Sequence, residues 1–270
     1  MKVVLFCGGL GTRLRDYSET IPKPMVRVGY RPILWNVMKF YAHFGHKDFI
    51  LALGYRGDYI KDYFVNYDET ISNDFVFKKG GKEIDMINTD IDDWNITFVD
   101  TGINSNIGMR LWKVREHLKD EEMFLANYSD GLSNLDLPSM IDHFKAQPDK
   151  VASFASYKPT ASFHVVQSEE DGLVNSISPI SDANLWLNVG YFALRPQIFD
   201  YMEYGDELVM EPFQRLISQQ KLTTYHHKGF WEAMDTFKDK MKLDDMQAKG
   251  NTPWTVWKEK DERPQKAIQI

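Results

Sequence analysis

The sequence predicts an α/β fold with a doubly wound, mostly parallel sheet and a smaller mixed or antiparallel portion. Three observations lead there. Residues 3–7 (Val-Val-Leu-Phe-Cys) form an unbroken apolar run of the kind buried on both faces of a parallel sheet. Helix-period and strand-period segments then alternate through the first 150 residues. From Val151 the texture changes to short strand candidates separated by turn residues.

Each element has a local reason. The opening strand runs directly into Gly8-Gly9-Leu10-Gly11-Thr12-Arg13-Leu14, a strand-to-loop transition of the kind where open α/β sheets bind ligands. Residues 32–44 place Ile33, Leu34, Val37, Met38 and Tyr41 at helical spacing and end near Gly45; residues 48–53 follow as a strand. Further helices are expected over 59–64, 109–118 and 137–144, with strands over 95–99 and 123–126. In the second half, strands are expected at 151–157, 164–167, 173–177, 189–194 and 222–226, and helices near 208–219 and 236–248. Residues 68–93 are polar and long for an unstructured loop, which makes them a lid, a hairpin or an oligomer contact. At 270 residues, with no internal repeat, the chain is expected to be one domain, 1–270, with halves 1–150 and 151–270.

Composition limits the function classes. A formal charge of -7 argues against a general grip on a nucleic acid backbone, so any phosphate must be held locally. Cys7 is the only cysteine, which excludes an intrachain disulfide and a four-cysteine zinc site and points to a reducing cytoplasm. Five consecutive apolar residues before the glycines are too few for a signal-peptide core or a membrane span.

The chemistry concentrates near the start. Gly8, Gly9 and Gly11 let backbone N–H groups approach a phosphate chain, and Arg13 can add a charge-assisted fork. Alone this loop is weak evidence, because it lacks both the GK[ST] ending of a P-loop and the third glycine of a dinucleotide fingerprint. Eight residues after Leu14 comes Pro22-Lys23-Pro24-Met25, where two prolines stiffen the backbone around one cation and aim it. Asp130 falls between a buried strand and Gly131, where a carboxylate can project from the sheet's carboxyl edge; its lesser alternative is a cap for the segment starting near Leu135. Asp235 stands just before a helix, where capping is again an alternative role.

The unit from Gly8 to Met25 resembles the signature of the sugar-1-phosphate nucleotidyltransferases. The likeness runs over nearly the whole chain, through Arg31-Pro32-Ile33-Leu34-Trp35, Gly54-Tyr55, residues 94–102, residues 128–131, Gly229-Phe230-Trp231 and Met234-Asp235-Thr236. It is strongest toward the cytidylyltransferase branch acting on glucose 1-phosphate. The resemblance implies a Rossmann-like nucleotidyltransferase fold, with a nucleotide-binding half (1–150) and a half carrying the acceptor site and C-terminal helices (151–270). It also implies Mg2+ held by Asp130 and Asp235, Arg13 and Lys23 as catalytic cations, and Thr101, Gly102, Gly108 and Arg110 around the nucleotide together with Gly8, Gly9, Gly11, Thr12 and Arg13. The implied partners are CTP, with UTP or dTTP still open, and a small phosphorylated acceptor, in a homo-oligomer. Such a reaction needs no protein nucleophile, because an acceptor phosphate is itself largely ionised near neutral pH.

The family pattern fails on the acceptor side. A Glu-Lys-Pro element expected before the Asn-Gly-Gly strand is replaced by Ile177-Ser178-Pro179-Ile180; a small residue is replaced within Ser162-Phe163-His164-Val165; and Asn188-Val189-Gly190 keeps one glycine of its pair. The reading is therefore an acceptor other than glucose 1-phosphate, with His164, Asn188 and Glu211 as acceptor contacts and Lys158 or Trp186 as further candidates. Two other classes compete. A dinucleotide-dependent oxidoreductase is weakened by the missing third glycine, and a non-catalytic nucleotide sensor by the retention of Lys23, Asp130 and Asp235.

Overall fold

A computed structural model describes residues 1–9, 21–159 and 163–258. The strands are β1 (Lys2–Cys7), β2 (Arg27–Val28), β3 (Arg31–Pro32), β4 (Asp48–Leu53), β5 (Phe75–Lys78), β6 (Glu83–Met86), β7 (Asn95–Asp100) and β8 (Phe124–Asn127), then β9 (Gly131–Ser133), β10 (Ala152–Tyr157), β11 (His164–Ser168), β12 (Val174–Pro179), β13 (Leu187–Leu194), β14 (Leu222–His227) and β15 (Trp231–Ala233). The helices are α1 (Ile33–His43), α2 (Gly57–Val65), α3 (Ile107–Lys113), α4 (Leu137–Lys145), α5 (Glu211–Ser218) and α6 (Phe237–Ala248).

One seven-stranded sheet runs in the order β14-β10-β13-β8-β1-β4-β7. Strands β8, β1, β4 and β7 are mutually parallel, and so are β10 and β14. Only β13 opposes its neighbours, β8 and β10. The change of texture after Val151 therefore does not mark a second large sheet. Strands β10, β13 and β14 extend the first one, and the antiparallel portion consists of two-stranded pairs such as β11–β12 and β9–β15.

Alternation along β1 explains the double winding. Val3, Leu5 and Cys7 join a core with α1, α4 and α6, whereas Val4 and Phe6 join another with α3 and α5. Successive strand residues point to opposite faces, so a strand covered on both must be apolar throughout. Among the described residues no helix is long and apolar enough to cross a membrane.

Element ends differ from expectation by a few residues, most at α3. Helix α3 starts early because the Asn106 side chain caps it at Met109 N (2.8 Å), and it gives way after Lys113 to a short 3-10 turn at Arg115–His117. Residues 68–93 form a hairpin, β5–β6, tied to the body at its base. There the buried Arg31 guanidinium donates to Ser72 Oγ (2.8 Å) and to the Asp68 carbonyl (2.7 Å), while Tyr67 and Ser72 donate to Asp90.

Candidate active site

The Pro22-Lys23-Pro24-Met25 segment is a single 3-10 turn at Lys23–Met25, with Pro24 and Met25 buried beneath it. Fixed proline φ and an anchored floor leave the lysine one direction to extend. Its Nζ lies 2.6 Å from Asp130 Oδ2 and 2.5 Å from Asp235 Oδ1. Three groups separated by 107 and 212 residues of chain thus meet at one point.

Both carboxylates are delivered by backbone. Strand β8 ends at Asn127, whose Oδ1 accepts the Ser129 N–H (2.7 Å) across a tight turn in which Ser129 has φ 66°. Asp130 follows, and β9 then pairs with β15, Gly131 opposite Ala233. Met234 N donates to the Asp130 carbonyl (2.8 Å), which sets the next residue, Asp235, beside Asp130. Neither aspartate is a helix cap. Asp136 caps α4 through Ser139 N, and Thr236 caps α6 in a capping box with Asp239.

Burial and charge act against each other here. Burial pushes the Asp130 carboxyl above its usual range, opposed by Lys23 and reinforced by Asp235. For Lys23, burial alone would lower the pKa, but the two carboxylates outweigh it and hold the ammonium above its ordinary value. Two hard carboxylates converging on a cation form a donor set that suits Mg2+, which takes its other ligands from water and phosphate. No cluster of three or more His, Cys, Asp or Glu occurs among the described residues, so a metal at this point would complete its shell with water or substrate oxygens.

Of the glycine loop, Gly8 and Gly9 lie within the described residues; Gly11, Thr12 and Arg13 lie outside them. Gly8 must be glycine for a reason the sequence hides: a Cβ there would collide with the Arg110 guanidinium. The structure also gives Arg110 a structural role. Arg110 is 2% exposed, and its N–H groups donate to the carbonyls of Gly8 (2.9 Å), Leu53 (3.1 Å) and Gly102 (3.0 Å) and to Thr101 Oγ1 (2.6 Å). It ties together the carboxyl ends of β1, β4 and β7 from behind. Thr101 is likewise fully buried, donating to the Leu53 carbonyl, and Gly108 is a packing glycine whose Cβ would strike the Asp206 carbonyl. Gly102, at φ 83°, makes the turn after β7. Thr101 and Arg110 therefore fasten the carboxyl ends of β1, β4 and β7 to one another.

On the acceptor side, Asn188 is the second residue of β13. Its Oδ1 accepts the Gly190 N–H (2.9 Å), and its amide approaches the hydroxyl of Tyr128, two residues before Asp130. His164 is exposed at the start of β11, directly opposite Pro179, so two of the departures from the family pattern share one rung of the β11–β12 hairpin. Glu211 is the first residue of α5, and its carboxylate accepts the Glu207 N–H (2.9 Å). Trp186 stacks face to face on His226 (3.7 Å, 9°), and Tyr157 adjoins Trp231 (5.8 Å), forming an aromatic border at the carboxyl ends of β10 and β14. Sequence reasoning missed Tyr41, Asn127, Ser129 and Tyr191, which surround the Asp130 turn; all but Ser129 fall inside predicted elements or at their ends, where they look like ordinary core residues.

The chain belongs to the nucleotidyl transferase family, whose model matches residues 2–245. It is 39% identical over 260 residues to glucose-1-phosphate cytidylyltransferase of Salmonella typhi, covering 95% of this chain and 100% of that protein. It is 34% identical over 259 residues to a probable glucose-1-phosphate cytidylyltransferase of Bacillus subtilis (strain 168), with coverage of 95% and 100%. Among solved structures, a UTP-bound UGPase from Acinetobacter baumannii shares the fold at a TM-score of 0.67 and 20% identity, covering 91% of this chain and 92% of that one.

Proposed function

We propose that this chain is a cytidylyltransferase that transfers CMP from CTP to a sugar 1-phosphate and releases pyrophosphate. The observation that carries it is the meeting of Lys23, Asp130 and Asp235 at the carboxyl edge of the sheet, beside the glycine loop after β1. The two 95%-coverage relatives supply the nucleotide and the acceptor class. They lend no support to an acceptor other than glucose 1-phosphate, which is therefore the first acceptor to test.

In this reading the acceptor phosphate oxygen attacks the α-phosphorus in line while pyrophosphate departs opposite. Lys23 holds a fixed positive charge where negative charge accumulates on the phosphoryl oxygens, and Arg13 adds a second. Asp130 and Asp235 would hold Mg2+, which when bound would supply further charge neutralisation. Gly8 and Gly9 give backbone access to the phosphates, residues 1–150 carry the nucleotide, and residues 151–270 carry the acceptor beside Asn188 and the β11–β12 hairpin with His164. Self-association fits the same reading. On β5–β6 the side chains of Phe75, Phe77, Ile84 and Met86 share one face, with Phe77 and Ile84 largely exposed, while Lys78 and Asp85 pair on the other.

The test is pyrophosphate release by purified protein with Mg2+, each of CTP, UTP and dTTP, and a panel of sugar 1-phosphates. Turnover with CTP and glucose 1-phosphate supports the proposal. No release with any nucleotide and any sugar phosphate refutes it.

A further inference from the structure

The turn that presents Asp130 is enclosed by three buried polar side chains, Tyr41, Asn127 and Tyr191. Asn127, the last residue of β8, accepts the Ser129 N–H through Oδ1 (2.7 Å) and donates through Nδ2 to the Tyr41 hydroxyl of α1 (3.2 Å). Directly across the β8–β13 ladder from Asn127 stands Tyr191, whose hydroxyl donates to the Gly131 carbonyl (2.9 Å). Tyr41 and Tyr191 stack on each other, and none of Tyr41, Asn127 and Tyr191 is more than 1% exposed.

Burying two phenols and an amide is costly unless each is hydrogen-bonded, and an apolar core would serve packing as well. The bonds they make are specific in place. One fixes the residue before Asp130 and another the residue after it. Ser129 is held at φ 66°, a conformation an unrestrained serine rarely adopts, so the Asn127 side chain is the group that secures this turn.

We propose that Asn127, Tyr41 and Tyr191 are positioning residues: a buried bracket that sets the direction of the Asp130 carboxylate and thereby its affinity for a divalent cation. The inference rests on the reading of Asp130 and Asp235 as metal carboxylates. Losing the Asn127 acceptor frees the 127–130 turn, and the Asp130 carboxylate no longer converges with Asp235.

The test is Mn2+ binding to the nucleotide-free protein, followed by electron paramagnetic resonance, for the wild type and for Asn127→Ala, Asn127→Asp and Tyr191→Phe. Outer-shell partners of metal ligands typically contribute about 10–100-fold in affinity. Asn127→Ala is expected to weaken Mn2+ by about tenfold or more, and Asn127→Asp, which keeps an acceptor for the Ser129 N–H, to stay within about threefold of wild type. Tyr191→Phe removes one hydroxyl with little change in volume, so it serves if Asn127→Ala does not fold; it is expected to weaken binding severalfold. In turnover assays the variants should raise the metal activation constant and leave the acceptor KM unchanged. Variants that lower the melting temperature yet bind Mn2+ like the wild type would overturn the proposal, as would a wild type that binds no Mn2+. A wild type that binds Mn2+ but forms no product would sink the transfer reaction and leave the bracket standing.

Discussion

Lys23 is the residue on which most depends. It balances two carboxylates in a partly enclosed space, and in the proposed reaction it does the same for phosphoryl charge. Lys23→Met is expected to lower kcat/KM by about 10³-fold in a pyrophosphate-release assay, the scale seen for removal of one preorganised charge donor; a loss under tenfold would remove Lys23 from the chemistry. Arg110 is the contrasting case. Its guanidinium satisfies several buried oxygens at the ends of three strands, so Arg110→Met should destabilise the fold by about 3 kcal/mol in urea unfolding. Lys23 could be singled out in the sequence because flanking prolines are a local, rigid feature. The structural role of Arg110 was not legible, because its three carbonyl partners are Gly8 after β1, Leu53 of β4 and Gly102 after β7, and no spacing along the chain records that they meet.

At the level of elements, the β5–β6 hairpin stands out, because an isolated two-stranded pair with one apolar face is marginal in water. Its base is anchored by Arg31 and Asp90, and its apolar face is exposed. If the hairpin face mediates self-association, the double variant Phe77→Asp with Ile84→Asp should shift light-scattering mass to a smaller species without loss of the folded circular-dichroism signal; an unchanged mass would argue against self-association through this face. The segment between α1 and β4 holds a pH-sensitive group. Burial, aided by the ammonium of Met1 and by Lys145, lowers the His46 pKa from 6.5 to about 4. The folded state therefore disfavours its proton. This contribution to stability is fully present above pH 6.5 and is lost as pH falls from there through about 4. Urea midpoints should drop across that window, and His46→Gln should flatten the decline.

Across the whole molecule, the doubly wound architecture accounts for a site assembled from distant segments. Parallel strands place all their carboxyl ends on one edge, so the end of β1 and the turn after β8 become neighbours whatever their separation in sequence. The β9–β15 pair then carries Asp235 to the same edge.

Apolar runs such as residues 3–7 and the helical spacing of residues 33–41 were enough to establish the sheet, its main helices and their order, because burial on both faces of a strand or along one stripe of a helix imposes a period that composition must obey. The glycine loop and the proline-framed lysine were equally plain, since glycine and proline act on their own backbone. Long-range partnership was not: the hydrogen bond from Met234 to Asp130, the Arg110 tie behind Gly8 and the Tyr41–Asn127–Tyr191 bracket each join segments whose nearness arises only after the chain has packed. Their residues carry no periodic or local signature, because what selects them is geometry across the core and not the conformation of their immediate neighbours.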